Sequence, residues 1–535
     1  MQKYINLNAQ YGFGQDVKYN YDSVEQIMEN MDKLGIWQTV IEFPGFANTL
    51  ARAERLLKDI QRIPNWKERI IPSFVTDTTM LFETGALEQF KAILRENQPC
   101  CITLRPQASG FRLRMADMVL DEIKDLCSVV LIDYPQLTIE YASDDLLYLA
   151  NRYPEISFVV RQIRWGSCRF IFDLMHRAKN IYLDNSKLHT RKILEMVSKH
   201  FGEYRLLFST DCPANGGAAM SAITFSDVSE ETKDMFRFGN FINLFRNEQE
   251  RKTLAENGRV IPNRVKNRFW TPFVEQGIAP DVDIYDVHCH LGLEGGAWYL
   301  MDARMEPQVT AFEEDIERLN LKMVVSSVSG RPDLIQGNLD MMEAAGGRER
   351  FKGYVRYNPR LAEEFTDEYL DACFATGYFV GLKTLPSYMK TDIRSSGYEP
   401  MFRYAHEHHL PILIHCCKDA AEYGTPMKCA EMAAKWPNAK VVLGHTGGTF
   451  GRQDCEELAQ DPRYNNVYFE FCGSFDSGRR WEDTLKHIDY KRVFYGSDAC
   501  LHNMYWEMGR LLSCDIPDEQ LTAILGANAK EVYGF

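Results

Sequence analysis

The regular alternation of apolar and amphipathic segments is the feature that most constrains the fold. In residues 281–535, short apolar runs of strand length are separated by stretches with helical periodicity. Strands are predicted over 284–290, 321–327, 352–357, 379–384, 411–416, 440–445, 466–471 and 492–497. Helices are predicted between them over 312–319, 363–374, 398–408, 426–435 and 517–532. Eight such units in roughly 250 residues are typical of a (β/α)8 TIM-like barrel, with a doubly wound open sheet as the alternative α/β fold.

Side chains able to bind a metal recur at the carboxyl ends of these predicted strands. His288 and His290 are two residues apart on the first strand, so both point to the same face. The ends of the fourth, fifth, sixth and eighth strands carry Lys383, His415, His445 and Asp498. A barrel brings all its strand ends to one mouth, whereas an open sheet does not. The recurrence of these groups around the series therefore favours a barrel.

Three imidazoles and a carboxylate would meet at this mouth. We predict that His288, His290, His415 and Asp498 bind a divalent metal, with zinc expected, although the same groups suit manganese and iron. The sequence leaves open whether one or two ions are bound. A metal-bound water at such a site ionises near neutral pH and attacks a carbonyl carbon. Asp498 or His445 would move the proton.

Three further residues are candidate contacts to a small-molecule substrate. Arg356 and Glu470 end the third and seventh predicted strands, so they would face the same mouth. Trp298 follows a glycine-rich segment in the loop after the first strand, where it could line the pocket. Glycines next to the metal-binding positions, Gly444 and Gly496 among them, suit tight turns and close backbone approach.

The first half of the chain repeats the second with altered chemistry. Aligning the two halves puts Asn6, Asn8, Gln10, Thr103, Asp133 and Gln162 where the second half has Asp286, His288, His290, Lys383, His415 and His445. Only Asp211 keeps its identity, opposite Asp498. Amides are poor zinc ligands beside imidazole, so the first copy should be metal-free and catalytically silent.

This repeat predicts an internal duplication with two tandem barrels. Residues 1–245 would form the degenerate barrel, 246–280 a linker and 281–535 the barrel with the metal site. The first barrel would then act as a built-in partner, replacing the second subunit of a homodimer. It could also lend Arg161 or Arg164 to the other barrel's site.

Composition excludes several classes of protein. The chain has 535 residues, 45% hydrophobic and 25% charged, which is typical of a soluble globular protein. Its net charge of −14 argues against a nucleic-acid binder. There is no apolar run long enough for a membrane span, and the start lacks the apolar segment of a signal peptide. The 14 cysteines are scattered without a CxxC ladder, so a reduced, cytoplasmic protein is expected.

The ordered set of metal-binding residues resembles the amidohydrolase superfamily. The segments 493–498 (VFYGSD) and 523–535 (AILGANAKEVYGF) resemble its amidohydrolase 2 branch in particular. That branch includes hydrolases and also decarboxylases, such as aminocarboxymuconate-semialdehyde decarboxylase. The resemblance implies that the two histidines of HxH, the strand-five histidine and the strand-eight aspartate bind metal. It implies that the strand-six histidine, His445, is catalytic or a second ligand.

The resemblance leaves the role of Lys383 open. In binuclear members of the superfamily, a carboxylated lysine at the end of strand four bridges two metals, and Lys383 ends the same strand. Members similar to the decarboxylases usually hold one metal without this bridge. Lys383 could equally bind a substrate carboxylate or form an ordinary salt bridge.

Together these patterns predict a metal-dependent hydrolase that acts on a small carbonyl compound, such as an amide, lactone or ester. The first alternative is a metal-dependent non-oxidative decarboxylase of an aromatic or unsaturated carboxylic acid. The second alternative is a non-catalytic binding protein, in which neither barrel turns over a substrate.

Overall fold

The computed structural model describes most of the chain. The described residues are 2–12, 21–45, 47–138, 141–163, 167–210, 216–292, 304–329, 333–417, 422–448, 451–472, 478–500 and 502–535. They form two compact units, one of Met1–Val265 with Val274–Gly277 and one of Lys266–Phe273 with Ile278–Phe535. Within these ranges no helix combines the length and apolar character needed to span a bilayer.

The first unit alternates strands and helices. Its strands are β1 Ile5–Gln10, β2 Gln38–Glu42, β3 Ile70–Thr76, β4 Cys101–Leu104, β5 Val129–Asp133, β6 Ser157–Arg161, β7 Ile181–Asp184 and β8 Leu206–Leu207. Its helices are α1 Val24–Leu34, α2 Thr49–Ile60, α3 Trp66–Arg69, α4 Ala86–Glu96, α5 Asp117–Ile123, α6 Ala142–Arg152, α7 Cys168–Arg177, α8 Ile193–Phe201, α9 Gly216–Thr224, α10 Glu230–Asp234, α11 Asn240–Asn243 and α12 Glu248–Asn257. Helix α13, Trp270–Gln276, lies where the two units divide.

The second unit repeats this alternation. Its strands are β9 Ile284–Leu291, β10 Leu321–Val328, β11 Phe351–Arg356, β12 Phe379–Thr384, β13 Pro411–Cys417, β14 Lys440–Gly447, β15 Val467–Glu470 and β16 Val493–Phe494. Its helices are α14 Met305–Leu319, α15 Leu334–Ala345, α16 Asp367–Ala375, α17 Pro386–Met389, α18 Glu399–Glu407, α19 Pro426–Lys435, α20 Arg452–Gln460, α21 Gly478–Thr484, α22 Met504–Leu512, α23 Asp518–Thr522 and α24 Asn528–Tyr533.

Each unit is a barrel of parallel strands around an apolar interior. Among the described residues, each sheet has eight strands in sequence order. The first strand then meets the chain just beyond the eighth, through Leu7 N to Phe208 O at 3.2 Å in one barrel and Val287 N to Tyr495 O at 3.2 Å in the other. Inward-facing aliphatic side chains such as Val287 fill the second barrel, and α24 packs against them. The predicted fold of two tandem (β/α)8 barrels is confirmed.

The predicted segments differ from the structure mainly near the site. Strand β16 ends at Phe494, three residues before the predicted end at 497, because the following residues turn toward β9 and Asp498 takes a left-handed conformation with φ 56°. The predicted helix 517–532 is divided by a π-turn over Ala523–Ala527. Residues 246–280, predicted as a linker, contain α12 and α13, and the predicted domain boundaries stay a prediction.

The two barrels repeat specific hydrogen bonds as well as topology. Asn6 accepts from the backbone N–H of Thr210 at 2.8 Å, and Asp286 accepts from that of Ser497 at 3.1 Å. Likewise, Asn240 Nδ2 donates to backbone carbonyls in its barrel at 2.7 Å, as Asn528 does at 2.7 and 2.9 Å. The aligned positions of the two halves therefore have the same structural roles.

Ion pairs fill the carboxyl end of the first barrel. Arg161 is fully buried, and its Nε donates to Asp133 at 2.8 Å while Nη2 donates to Glu42 at 3.1 and 3.2 Å. Arg105 pairs with the same two carboxylates. Burial acts to raise the pKa of Glu42, but Arg161 and Arg105 outweigh it and lower that pKa to about 2. The side chain of Arg161 thus serves its own barrel, and Arg164 lies outside the described residues.

Removing the guanidinium of Arg161 should destabilise the first barrel. Arg161→Met leaves the carboxylates of Glu42 and Asp133 buried with less positive charge beside them. The free energy of unfolding measured in urea should therefore fall by about 3–5 kcal/mol. Because the folded pKa of Glu42 lies below its unfolded value, the wild type should lose this stability as pH falls from about 4.5 toward 2.

The matched control is Arg177→Met, which removes a half-exposed pair on α7 with Asp173 and should change stability by less than about 1 kcal/mol. Adding Glu42→Gln and Asp133→Asn to Arg161→Met should recover much of the loss, because no carboxylate is then left unpaired. Equal urea midpoints for Arg161→Met and Arg177→Met would contradict the proposed charge balance.

Candidate metal centre

Two imidazoles and a carboxylate converge at the carboxyl end of the second barrel. The Nε2 atoms of His288 and His290, both on β9, lie 3.7 and 2.9 Å from Oδ1 of Asp498. All three side chains are buried. Asp498 reaches this position because its left-handed backbone turns back onto β9, where its N–H donates to His288 O at 2.8 Å. Strained backbone of this kind is common at functional sites.

Hydrogen bonds on the opposite side of each ring orient the two histidines. Nδ1 of His288 lies 2.7 Å from Oε2 of Glu470, and Nδ1 of His290 lies 3.1 Å from Oγ of Ser327. When Nδ1 donates to such a partner, the lone pair is on Nε2. Both Nε2 atoms are therefore prepared to bind one cation beside Asp498. Glu470 is fully buried against His288, and its predicted contact with substrate stays a prediction.

Two glycines make room for His288 and its carboxylate partner. A Cβ on Gly496 would lie 2.8 Å from His288 Cβ and would also clash with Glu470. A Cβ on Gly444 would lie 2.9 Å from Ile414 O and 3.2 Å from Cε1 of His288. These glycines were expected to suit close backbone approach. The groups that approach Gly496 are side chains of the site, and those that approach Gly444 are the Ile414 carbonyl and the His288 ring.

His415 and His445 form a neighbouring pair. Nδ1 of His415 lies 3.0 Å from Nε2 of His445, whose Nδ1 lies 3.0 Å from the carbonyl of Cys472. His445 has a left-handed backbone, with φ 62°. Among the described residues, His288, His290 and Asp498 form one set whose ligand atoms lie within 4.8 Å of one another, and His415 is not part of it. The structure thus brings His415 to His445 rather than directly to the predicted ligand set.

A second close set lies behind the first. His288, His445, Glu470 and Cys472 also have ligand atoms within 4.8 Å. Cys472 Sγ is 3.0 Å from Nδ1 of His288 and 3.0 Å from Oε2 of Glu470. These contacts are hydrogen bonds that support the His288 ring.

Lys383 contacts the ligand atom of His288 directly. Its Nζ lies 2.6 Å from Nε2 of His288, so the ammonium donates to the lone pair that a metal would use. The lysine is fully buried, and burial lowers its pKa to about 8. Lys383 is therefore at the centre of the predicted site, and it must give up this contact when a cation binds Nε2.

Arg356 lies at the end of β11, in register with Lys383 on β12. Its side chain is buried, and burial lowers its pKa to about 10, so it is charged at neutral pH. Its Nε and Nη1 have no hydrogen-bond partner in the structure. The structure therefore places Arg356 where the sequence predicted. Trp298, the third candidate substrate contact, and Asp211 of the first barrel lie outside the described residues.

Beyond Asp498 lies a row of buried polar side chains that the sequence analysis missed. His502 is buried, with Nε2 3.8 Å from Oδ2 of Asp498 and Nδ1 3.8 Å from Glu507. Arg510 donates to Glu507 at 2.9 Å. Burial acts to raise the pKa of Asp498, but His502 and the metal-site histidines hold it well below its usual range. The spacing of four residues between Asp498 and His502 was a possible signal, because α22 follows directly.

The donor set fits a divalent cation. Burial lowers the pKa of His290 to about 4 and that of His288 well below its usual value, so both rings are neutral at physiological pH, as metal ligation requires. Asp498 supplies the negative charge. Two nitrogens and one carboxylate oxygen leave room for water or substrate, as in catalytic rather than structural sites.

Comparison with solved structures finds only weak likenesses. One is 2,6-dihydroxybenzoate decarboxylase from Rhizobium, with 15% identity, a TM-score of 0.38, and coverage of 47% of this chain and 99% of that one. Another is a dihydroxybenzoic acid decarboxylase from Polaromonas sp. JS666 with bound manganese, at 15% identity, TM-score 0.37, and coverage of 47% and 97%. A probable 2-pyrone-4,6-dicarboxylic acid hydrolase from Acinetobacter baumannii has 16% identity, TM-score 0.35, and coverage of 48% and 100%. At these values the likenesses carry no argument about function.

Comparison with family models identifies the second barrel. A search of curated proteins finds no match. The model of the family described as amidohydrolase matches residues 285–535, which include every residue of the metal-binding set. The second barrel is therefore similar to the amidohydrolase family over almost its whole length.

Proposed function

We propose that the second barrel is a metal-dependent hydrolase of a small carbonyl compound, such as an amide, lactone or ester. The observation that carries this proposal is the convergence of Nε2 of His288 and Nε2 of His290 on Oδ1 of Asp498, at 3.7 and 2.9 Å. Zinc is the metal we propose, because two imidazoles and one carboxylate form a typical zinc donor set.

The residues of this set and those around it have different roles in the proposed hydrolysis. A divalent cation held here lowers the pKa of water and polarises a carbonyl. His288, His290 and Asp498 hold the cation, and Glu470 and Ser327 orient the two rings. Asp498 is also placed to accept a proton from the attacking water, because its Oδ1 faces the ligand atoms.

His445 completes the proposed proton path. Its Nε2 lies against Nδ1 of His415, and burial lowers the pKa of both rings, so each is neutral and able to accept a proton. We assign His445 to proton transfer or substrate polarisation. His415 is assigned as a ligand that completes the set when the cation is present.

Two roles for Lys383 remain in this proposal. A neutral, buried amine beside a metal-ligating nitrogen suits carboxylation and bridging of two cations. A charged ammonium at the same place suits binding of a substrate oxygen. Counting the cations per chain distinguishes the two roles, because only the bridge needs two.

Decarboxylation is the second candidate function. Arg356 and Lys383 place two buried cations on neighbouring strands beside the metal-binding set. Such charges favour an acid as substrate. The same donor set would then hold the carboxylic acid for loss of carbon dioxide.

We propose that the first barrel arose by duplication and serves as a built-in partner in place of a second subunit. Its support is the repeated hydrogen bonding at aligned positions and the replacement of metal ligands by ion pairs around Arg161. The chain should accordingly be monomeric in analytical ultracentrifugation. We also propose a cytoplasmic location, because the 14 cysteines are scattered along the sequence without a CxxC ladder.

Removing one ligand should remove the metal. Purified wild type should contain one or two equivalents of divalent metal by elemental analysis, and His288→Ala or Asp498→Asn should contain close to none. Activity should fall at least about 100-fold, because metal affinity depends on the full donor set. His408→Ala, which changes an exposed histidine of the same barrel, should keep both metal and activity. Unchanged metal content in His288→Ala would refute the site.

Product analysis separates the two candidate reactions. Metal-loaded protein should hydrolyse members of a panel of small esters, lactones and amides and release no carbon dioxide from aromatic or unsaturated acids. The metal-free His288→Ala protein is the blank in both assays. Carbon dioxide release by the wild type without hydrolysis would favour the decarboxylase.

Changes at the support of His288 should weaken metal binding without unfolding the barrel. Glu470→Gln alters the group that orients the ring, so metal affinity should fall about 10- to 100-fold in chelator competition. Gly496→Ala should do the same, because its Cβ would press on His288 and Glu470. Gly347→Ala is the control, since its Cβ meets nothing within 4 Å. Metal affinity equal to wild type in both variants would argue against the orienting role.

A further inference from the structure

Arg161 and Arg356 are buried arginines at the carboxyl ends of barrel strands, and among the described residues their surroundings are opposite. Arg161 in the first barrel is 0% exposed and binds Glu42 and Asp133. Arg356 in the second barrel is 5% exposed, and no carboxylate of the described residues lies within ion-pair distance of it. A buried charge without a counter-ion costs several kcal/mol. Arg356 is therefore a buried cation without a counter-ion among the described residues, and binding an anion would stabilise it.

The position of Arg356 is firmly set. Asn338 on α15 donates to its carbonyl at 3.1 Å and accepts from its N–H at 2.9 Å. The backbone of Arg356 is therefore fixed, while Nε and Nη1 of its side chain are left without partners. A buried guanidinium with free donors is well suited to bind a carboxylate, because its planar fork matches the two carboxylate oxygens.

Arg356 also lies close to the metal-binding set. Its register partner on the next strand is Lys383, whose Nζ touches His288. Two tyrosines, Tyr388 and Tyr398, lie near enough to act on the pKa of Arg356. An anion on Arg356 would therefore lie beside the metal-binding set.

We propose that Arg356 binds a carboxylate of the substrate that is separate from the reacting carbonyl, so that the substrate class is a carbonyl compound bearing an acid group. This inference rests on the proposed function for the reacting end of the molecule. The guanidinium selects for the acid group and holds the substrate, and the bond that breaks lies at the metal-binding set.

Simple carboxylates test this subsite without any turnover. Binding of acetate and benzoate, with acetamide and benzamide as neutral counterparts, is measured by calorimetry on metal-loaded and metal-stripped protein. Wild type should bind the carboxylates and not the amides in both forms. Arg356→Met should bind the carboxylates about 10- to 100-fold more weakly, the loss expected for a hydrogen bond to a charged group.

Stability separates a binding role from a structural one. Arg356→Met removes an unpaired buried charge at similar volume, so its melting temperature should equal or exceed that of the wild type. Arg356→Lys should retain part of the carboxylate binding. Arg463→Met, an exposed arginine of the same barrel, is the control and should bind as the wild type does.

Three results would overturn the inference. They are carboxylate binding that disappears on metal removal, binding unchanged in Arg356→Met, and no binding of either carboxylate. None of these bears on hydrolysis, which is measured separately on neutral esters. Conversely, carboxylate binding through Arg356 in a protein that neither binds metal nor hydrolyses would refute the proposed function and leave this subsite standing.

Discussion

The contact between Glu470 and Nδ1 of His288 is the interaction on which the site depends. It decides which nitrogen of the ring is free, and so where a cation can bind. The same carboxylate accepts from the backbone of His445 and Cys472, so one group connects the ends of three strands. In a buried setting these hydrogen bonds are strong. Gly496 is required because any side chain there would occupy the same space.

The two barrels differ in how the charged side chains at the carboxyl ends of their strands are balanced. Polar side chains at the carboxyl ends of parallel strands bring like charges together inside a closed ring. In the second barrel, the histidines and Asp498 form a set that suits a cation. In the first, Arg161 supplies the positive charge from within the chain and bridges Glu42 and Asp133. A guanidinium is permanently charged and carries fixed donors, so it can hold two carboxylates together as a metal would, but it cannot activate water.

Much of the fold was predictable because strand periodicity and βα spacing are local properties of the sequence. His288 and His290 were predictable for the same reason, since both lie near the end of β9, and Asp498 was predictable from its spacing along the series although it lies beyond the end of β16. Glu470 was predicted at the end of the correct strand, but its contact with His288 was not predicted, because the sequence does not show which ring it faces. Glu42 and His502 were missed: the first has no counterpart among the aligned metal positions, and the second lies beyond a turn whose geometry depends on the left-handed Asp498.

The internal ion pairs of the first barrel have a consequence for how the protein is made. Domains generally fold as units in the order in which they leave the ribosome. In the first barrel, the positive charge of Arg161 balances Glu42 and Asp133, so these carboxylates are paired as soon as the barrel has folded. The second barrel leaves the ribosome later. If it holds the proposed cation, metal starvation during synthesis would deprive the second barrel of that cation, whereas the ion pairs of the first barrel would form as usual.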